Sequence, residues 1–313
     1  MSNNLKHKPK STRRKKSIAR RLRIISSLLR WYRKHGRDLP WRDEKNPYRI
    51  LVSEVMLQQT QVSRVLIKYP QFLRDFPTLQ RLARAKSSDV IRSWRGMGYN
   101  NRALRLLNLS RDVITNDHGT IPGNIEALMN LPGIGRYTAH AVACFAFGKR
   151  VPIVDTNIAR VLGRLYPPKK GTADEGKRDF WTLAENHLPK KNAHDWNQAL
   201  MDLGSTICSA GRPKCNICPL RTMCPSAHKI SRQNVARSRN EPGRSGIPNR
   251  IYRGRAIEVL RNLRPGGWIT SSQLARSIKS DFNGNDRAWF NSLLRALARD
   301  GLIRGRNRIS LPD

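Results

Sequence analysis

The sequence predicts an all-α fold, and three observations carry that prediction. Apolar residues recur at spacings of three and four from about Ile18 to Leu220, as in Ser53-Glu54-Val55-Met56-Leu57 and from Ala139 to Phe147, the period of a helix face turned toward a core. The pattern is cut at Pro40, Pro47, Pro77, Gly96-Met97-Gly98, Pro122-Gly123, Pro132-Gly133, Pro152 and Pro167-Pro168, so medium-length helices are joined by short turns. Strand-like alternation is sparse over the same span. At 313 residues the chain is long enough for a well-buried core and for a second domain or tails.

Taken in order, residues 1–23 are dense in Lys and Arg and contain no acidic residue. They read as a disordered basic arm, and a nuclear or organellar targeting peptide has the same composition. The first apolar stretch, Ile24 to Leu29, is broken by Ser26 and Ser27. No run approaches the roughly 20 apolar residues that cross a bilayer, so a soluble, cytoplasmic, monomeric protein with no membrane partner is expected. Residues 24–225 form the main helical domain. Residues 226–250 lose periodicity and fill with Ser, Arg, Asn, Gly and Pro, as flexible linkers do. Residues 251–313 then give a helix from Tyr252 to Leu263, a Pro265-Gly266-Gly267 break, a helix after Thr270 and Ser271, a third near Asp286 to Arg299, and a candidate β-hairpin from Leu302 to Leu311. That order resembles a winged-helix module, in which the third helix and the hairpin meet DNA; a small helical protein-interaction module is the alternative.

Sixty Lys and Arg against 22 Asp and Glu give a formal charge of +38. Self-repulsion on that scale calls for a polyanionic partner, and nucleic acid is the leading candidate. A ribosomal-type or membrane-surface protein would share the charge, but seven Trp and long apolar-periodic stretches point to a globular enzyme.

Four of the five cysteines, Cys208, Cys215, Cys218 and Cys224, lie in one segment at spacings C-x6-C-x2-C-x5-C. Disulfides are not expected in a reducing compartment, and thiols this dense suit a metal centre. Zinc usually takes two close pairs, whereas only Cys215 and Cys218 are close here, so spacing alone leaves zinc and iron–sulfur chemistry both open. Lys214, Arg212 and Arg221 between the thiols would present charge to phosphate. Cys144, among Ala141, Val142, Ala143 and Phe145, reads as a buried core thiol.

Leu131-Pro132-Gly133-Ile134-Gly135 joins two helical patterns, and its glycines permit close backbone approach. Such a turn at a helix N-terminus aims N–H groups at a DNA phosphate, although a Pro-Gly turn also serves simply to join packed helices. Asp155 follows the apolar run from Val151 and precedes a helix starting near Asn157, where it would serve as an N-cap. Glu54 lies in an otherwise apolar helical stretch; it is either exposed on a polar face or held in a pocket, where burial would raise its pKa. Two such carboxylates suit glycosidic hydrolysis, which needs an acid for the leaving group and an anion beside the oxocarbenium-like sugar.

From about Trp31 to Cys224 the chain resembles the MutY-type adenine DNA glycosylases of the helix-hairpin-helix, endonuclease III superfamily. The resemblance rests on Ser53 to Val62 (Ser-Glu-Val-Met-Leu-Gln-Gln-Thr-Gln-Val), Gly98-Tyr99, Leu131 to Thr138, Val154-Asp155, Met201-Asp202-Leu203-Gly204 and the four cysteines, several motifs in the family's order. It implies a helix-hairpin-helix glycosylase fold with an iron–sulfur loop over 208–224, and a 4Fe-4S cluster held by Cys208, Cys215, Cys218 and Cys224. It also implies that Glu54 protonates the departing purine, that Asp155 stabilises the cationic sugar and that Asn157 orients these groups or the attacking water. Tyr99 with Gln58 or Gln59 would fill the gap left when the base is flipped out, and Leu131, Gly133 and Gly135 would hold phosphate. Tyr137 stands where lyase-competent relatives carry a nucleophilic lysine, so no Schiff base is expected there. The implied partner is double-stranded DNA with a mispaired or damaged base, and the implied reaction is monofunctional base-excision repair of adenine opposite guanine or 8-oxoguanine.

The chain departs from that family pattern twice. Asp155-Thr156-Asn157 stands where Asp-Gly-Asn is usual, and the winged-helix-like module stands where a Nudix-like domain senses 8-oxoguanine. A glycosylase for thymine or uracil opposite guanine is therefore the second reading. A non-enzymatic regulator with an iron–sulfur sensor is the third; it explains charge, cysteines and C-terminal module but leaves Glu54, Tyr137 and Asp155 unexplained.

Overall fold

The computed structural model describes residues 10–168, 179–230 and 241–313. It is predominantly helical: α1 (Lys10–His35), α2 (Pro47–Leu57), α3 (Val62–Asp75), α4 (Leu79–Ala83), α5 (Ser87–Ser93), α6 (Asn101–Asn116), α7 (Ile125–Asn130), α8 (Arg136–Phe145), α9 (Thr156–Leu165), α10 (Phe180–His187) and α11 (Ala193–Thr206). After two short 3-10 turns come β1 (Gly243–Arg244), β2 (Ile247–Pro248), α12 (Asn249–Asn262), β3 (Ile269–Thr270), α13 (Ser271–Ile278), α14 (Arg287–Arg299) and β4 (Arg308–Ile309). Among the described residues no helix is long and apolar enough to cross a membrane.

The chain falls into two compact units that do not follow sequence order: Met1–Leu39 with Ala143–Arg237, and Pro40–Val142 with Ser238–Asp313. The residues of the C-terminal module fall in the same unit as Pro40–Val142.

In the first unit α11 packs on α1 and α9, burying Ile24, Leu28, Ile158, Leu162, Trp196 and Leu200. Residues 10–23, expected as part of a disordered arm, are the first half of α1; residues 1–9 lie outside the described residues. Charge density alone misreads this stretch, because Arg20 donates to the carbonyls of Leu165 (2.9 Å) and Met223 (2.8 Å) and Arg21 to that of Leu188 (2.9 Å). These cations hold carbonyls near helix ends rather than solvent.

In the second unit, Asn46 caps α2 by accepting from the N–H groups of Tyr48 and Arg49, and Pro47 opens the helix, where its missing donor costs nothing. Nearly every residue of α2 is buried, against a core that includes Phe72, Trp94 and Leu107. The expected linker is also revised: residues 243–248 form a hairpin, with Gly243 opposite Pro248 and Arg244 opposite Ile247, and α12 begins at Asn249. Ser245 and Gly246 both take positive φ (50° and 73°), as a two-residue hairpin turn requires. Residues 231–240 lie outside the described residues. In the C-terminal module Thr270 and Gln273 form a reciprocal capping box at α13. The expected hairpin bridges itself at Arg304 and Ser310, while β4 pairs with β3, a strand the sequence reading had not placed.

Candidate active site

Asp155 is the N-cap of α9: its Oδ1 accepts from the Ile158 N–H at 2.6 Å and its Oδ2 from the Asn157 side-chain amide at 2.8 Å. Asn157 Oδ1 in turn accepts from Arg160 at 2.6 Å. The same guanidinium donates to the carbonyls of Gly204 and Cys208, both at 2.7 Å. Arg160 therefore joins the Asp155–Asn157 pair to the start of the cysteine loop. Burial pulls its pKa below the ordinary range, offset by the nearby Cys208 and Asp155. Sequence reading missed Arg160; a single Arg three residues after Asn157 carries no motif of its own.

Gly204 explains part of the Met201 to Gly204 motif. A Cβ there would lie 2.6 Å from the Cβ of Asn157, closer than packed carbons tolerate, so α11 and α9 approach this nearly only with glycine. Gly204→Ala should therefore cost about 1–3 kcal/mol in a denaturant melt and slow base release by displacing Asn157. Asp202, fully buried, accepts from the Arg37 N–H at 3.0 Å and from its Nε at 2.7 Å.

Cys208, Cys215, Cys218 and Cys224 line one pocket together with the apolar Ile207, Pro213, Ala227 and Ile230. Burial, followed among other causes by the neighbouring thiols, pushes Cys218 up to about 11 and raises Cys224, so this pocket disfavours thiolates unless cations share it. Among the described residues no three His, Cys, Asp or Glu are grouped to hold a single metal ion. Four thiols on the wall of one pocket are nonetheless a donor set that fits a thiolate-ligated metal centre. Arg164 closes one wall, donating to the Cys208 sulfur at 3.2 Å and to the Ser209 and Ala210 carbonyls at 2.8 Å. Cys144 is fully buried, with the Asn197 amide 3.5 Å from its sulfur.

In the second unit Glu54 is 4 % exposed on α2, which excludes the exposed polar face. Gln58 ends that helix, and its side-chain amide donates to the Thr138 hydroxyl at 3.4 Å, beside half-buried Tyr137. Gln59 (φ 53°) and Tyr99 (φ 42°) are both left-handed non-glycine residues, and Tyr99 is 47 % exposed. Conformations of this kind persist only where the surroundings fix them. One buried side chain fixes both: Arg102 donates to the carbonyls of Val55 (2.8 Å), Met56 (3.0 Å) and Gln58, to the Thr60 hydroxyl (2.9 Å), and to the carbonyls of Met97 (3.1 Å) and Gly98 (3.2 Å). It satisfies the open carbonyls at the end of α2 and ties the Gln58 loop to the Tyr99 loop. Burial pulls its pKa down to about 10, still a cation at neutral pH. Arg102 too was invisible in sequence, since its hydrogen-bond partners are carbonyls and one hydroxyl and its guanidinium otherwise lies over the Trp94 and Tyr99 rings, 5.5 and 5.7 Å from their centroids.

Leu131 is buried at the end of α7, and Gly133 takes φ 80°. Gly133 and Gly135 are exposed at the start of α8, and a Cβ at Gly135 would meet nothing within 4 Å. The turn is therefore open on its Gly135 side, where a phosphate could approach, while a Cβ at Gly133 would meet the Arg105 side chain at 3.4 Å.

Residues 52–186 match the model of the HhH-GPD superfamily of base excision DNA repair proteins. The chain is 39 % identical over 284 residues to an adenine DNA glycosylase of Mycobacterium tuberculosis, covering 89 % of each. It is 40 % identical over 225 residues to a human adenine DNA glycosylase, covering 68 % of this chain and 41 % of that one. Among solved structures it is similar to a thermostable thymine-DNA glycosylase (TM-score 0.63, 32 % identity, 68 % of this chain and 99 % of the other). It also shares the fold of endonuclease III in a covalent DNA complex (TM-score 0.57, 24 % identity, 67 % and 97 %).

Proposed function

The chain belongs to the HhH-GPD superfamily of base excision DNA repair proteins and, over most of its length, to its adenine DNA glycosylases; from that premise we propose that it hydrolyses the N-glycosidic bond of adenine mispaired with guanine or 8-oxoguanine in double-stranded DNA. The near-full-length likeness to adenine enzymes carries this reading, since the likeness to the thymine enzyme is weaker and stops at about two thirds of the chain. Glu54 donates the proton to the departing base, and its burial in α2 keeps bulk water from competing for that role. Asp155 supplies the anion facing the developing positive charge on the sugar, with one oxygen fixed by the Ile158 N–H and the other by Asn157. Water is the nucleophile, because Tyr137 offers no amine for a Schiff base. Tyr99, Gln58 and Gln59 fill the space vacated by the flipped base, and the Leu131–Gly135 turn holds a backbone phosphate. The test is release of free adenine from mismatched duplexes, with the strand intact until alkali or heat cleaves the abasic site.

The four-cysteine pocket holds a 4Fe-4S cluster in this reading, ligated by Cys208, Cys215, Cys218 and Cys224. When bound, that cluster would supply the cationic iron that keeps four half-buried thiolates ionised and would fix the loop carrying Arg212, Lys214 and Arg221. Purified protein should be brown and carry about four irons per chain; Cys218→Ser should lower iron content and DNA affinity together, whereas stoichiometric zinc without iron would contradict the assignment. The C-terminal module adds phosphate contacts: Arg306 and Arg308 are exposed on its hairpin, and Arg308 lies 4.3 Å over the ring of Trp268.

A further inference from the structure

Asn100 directly precedes α6, where an asparagine ordinarily turns its side-chain oxygen onto the helix's own first N–H groups. It makes no such bond. Its Oδ1 instead accepts a 2.8 Å hydrogen bond from Arg261 of α12, and both side chains are buried, at 8 % and 6 % exposure. Arg261 also donates to the Ile91 carbonyl at 2.9 Å and pairs with Glu258 at 3.3 Å. The docking is reciprocal. Arg92 donates to the carbonyls of Arg261 and, at 2.9 Å, Leu263, and Arg95 pairs with Glu258 at 3.0 Å. Buried guanidinium charge is retained only where its N–H groups find acceptors, so this cluster is a built joint between α12 and the segment from Ile91 to Asn100.

That segment carries Tyr99. Its left-handed backbone costs of order 1 kcal/mol for a residue with a Cβ, and it follows Gly98, itself at φ 67°. The carbonyl of Gly98 is held from inside by Arg102 at 3.2 Å and by the Trp94 indole at 3.3 Å. Asn100, on the other side of Tyr99, is held by Arg261. Tyr99 also shares one cleft with Gln59, Arg64 and the α12 residues Arg250 and Arg253. We infer that Arg261 is a positioning residue for Tyr99: the C-terminal module, through the Arg261–Asn100 bond, holds the turn that presents the Tyr99 ring to the gap left by the flipped base. The inference rests on the proposed reading of Tyr99 as the residue that fills that gap. It gives the module a role in base flipping that is separate from phosphate contact.

The test uses the full chain and a duplex with 2-aminopurine beside the mismatched adenine, whose fluorescence rises when stacking is broken and needs no excision to do so. Arg261→Ala and, removing the same bond from the other side, Asn100→Ala should each lower the fluorescence rise and the single-turnover excision rate about tenfold, the scale of one charge-assisted hydrogen bond, with duplex affinity nearly unchanged. Added to Tyr99→Ala, Arg261→Ala should cause no further loss, because it acts through that ring. A merely stabilising residue would multiply the loss instead, and that result overturns the inference, as does wild-type fluorescence in both single variants. If Tyr99→Ala flips normally while Arg261→Ala does not, the reading of Tyr99 fails and the inference with it. If Tyr99→Ala fails to flip while Arg261→Ala behaves as wild type, only the inference fails.

Discussion

Glu54→Gln should abolish adenine release while leaving the protein folded and able to bind DNA. The replacement is nearly isosteric, so α2, buried along almost its whole length, keeps its packing. What disappears is the proton. Adenine leaves poorly as an anion, and a general acid placed at the base contributes roughly 10²–10⁴-fold; no exposed carboxyl replaces a group that is 4 % exposed. Single-turnover excision should fall below detection over the time in which wild type completes one turnover. Release at the wild-type rate would reduce Glu54 to a packing residue.

Asp155→Asn should have the next largest effect, and it separates two roles that the geometry superimposes. Asp155 caps α9 through the Ile158 N–H at 2.6 Å, and asparagine caps a helix about as well as aspartate. The melting temperature should therefore change little. The anion is gone, however, and loss of one preorganised electrostatic partner of a charged transition state costs roughly 10²–10³-fold in rate. Asp155→Ala would lose the anion and also about 1 kcal/mol of capping. Equal rates for wild type and Asp155→Asn would mean that the residue is a cap and nothing more.

Local signals made much of this molecule legible in its sequence. Pro47, the Leu131–Gly135 turn, Asp155 before α9 and Thr270 before α13 all act within a few residues of themselves, and each stands where the spacing puts it. Burial of Glu54 was one of two open choices, resolved only because α2 is enclosed on nearly all sides. The basic start of α1 was misread because composition reports charge and not the carbonyls that Arg20 and Arg21 reach 145 and 167 positions away. The β1–β2 hairpin was read as linker because a Ser245-Gly246 turn with two-residue strands offers too little alternation to register.

The residues that organise the site were the least legible. Arg102, Arg160 and Arg261 have no local signature, because each directs a planar fork of donors at backbone and side-chain acceptors from distant segments. In a chain with 60 Lys and Arg, three structural arginines are hidden among those that face solvent. Sequence order suggests a module that follows the main domain, and nothing local to Arg261 signals that it is buried beside Asn100.

The assignment of adenine as the released base is decided by single-turnover base release from three otherwise identical duplexes: adenine opposite 8-oxoguanine, adenine opposite guanine, and thymine opposite guanine. Both adenine duplexes should lose free adenine well before thymine is released from the third, with strand breaks only after alkali. Faster release of thymine, or tight binding with no base released from any duplex, would contradict it.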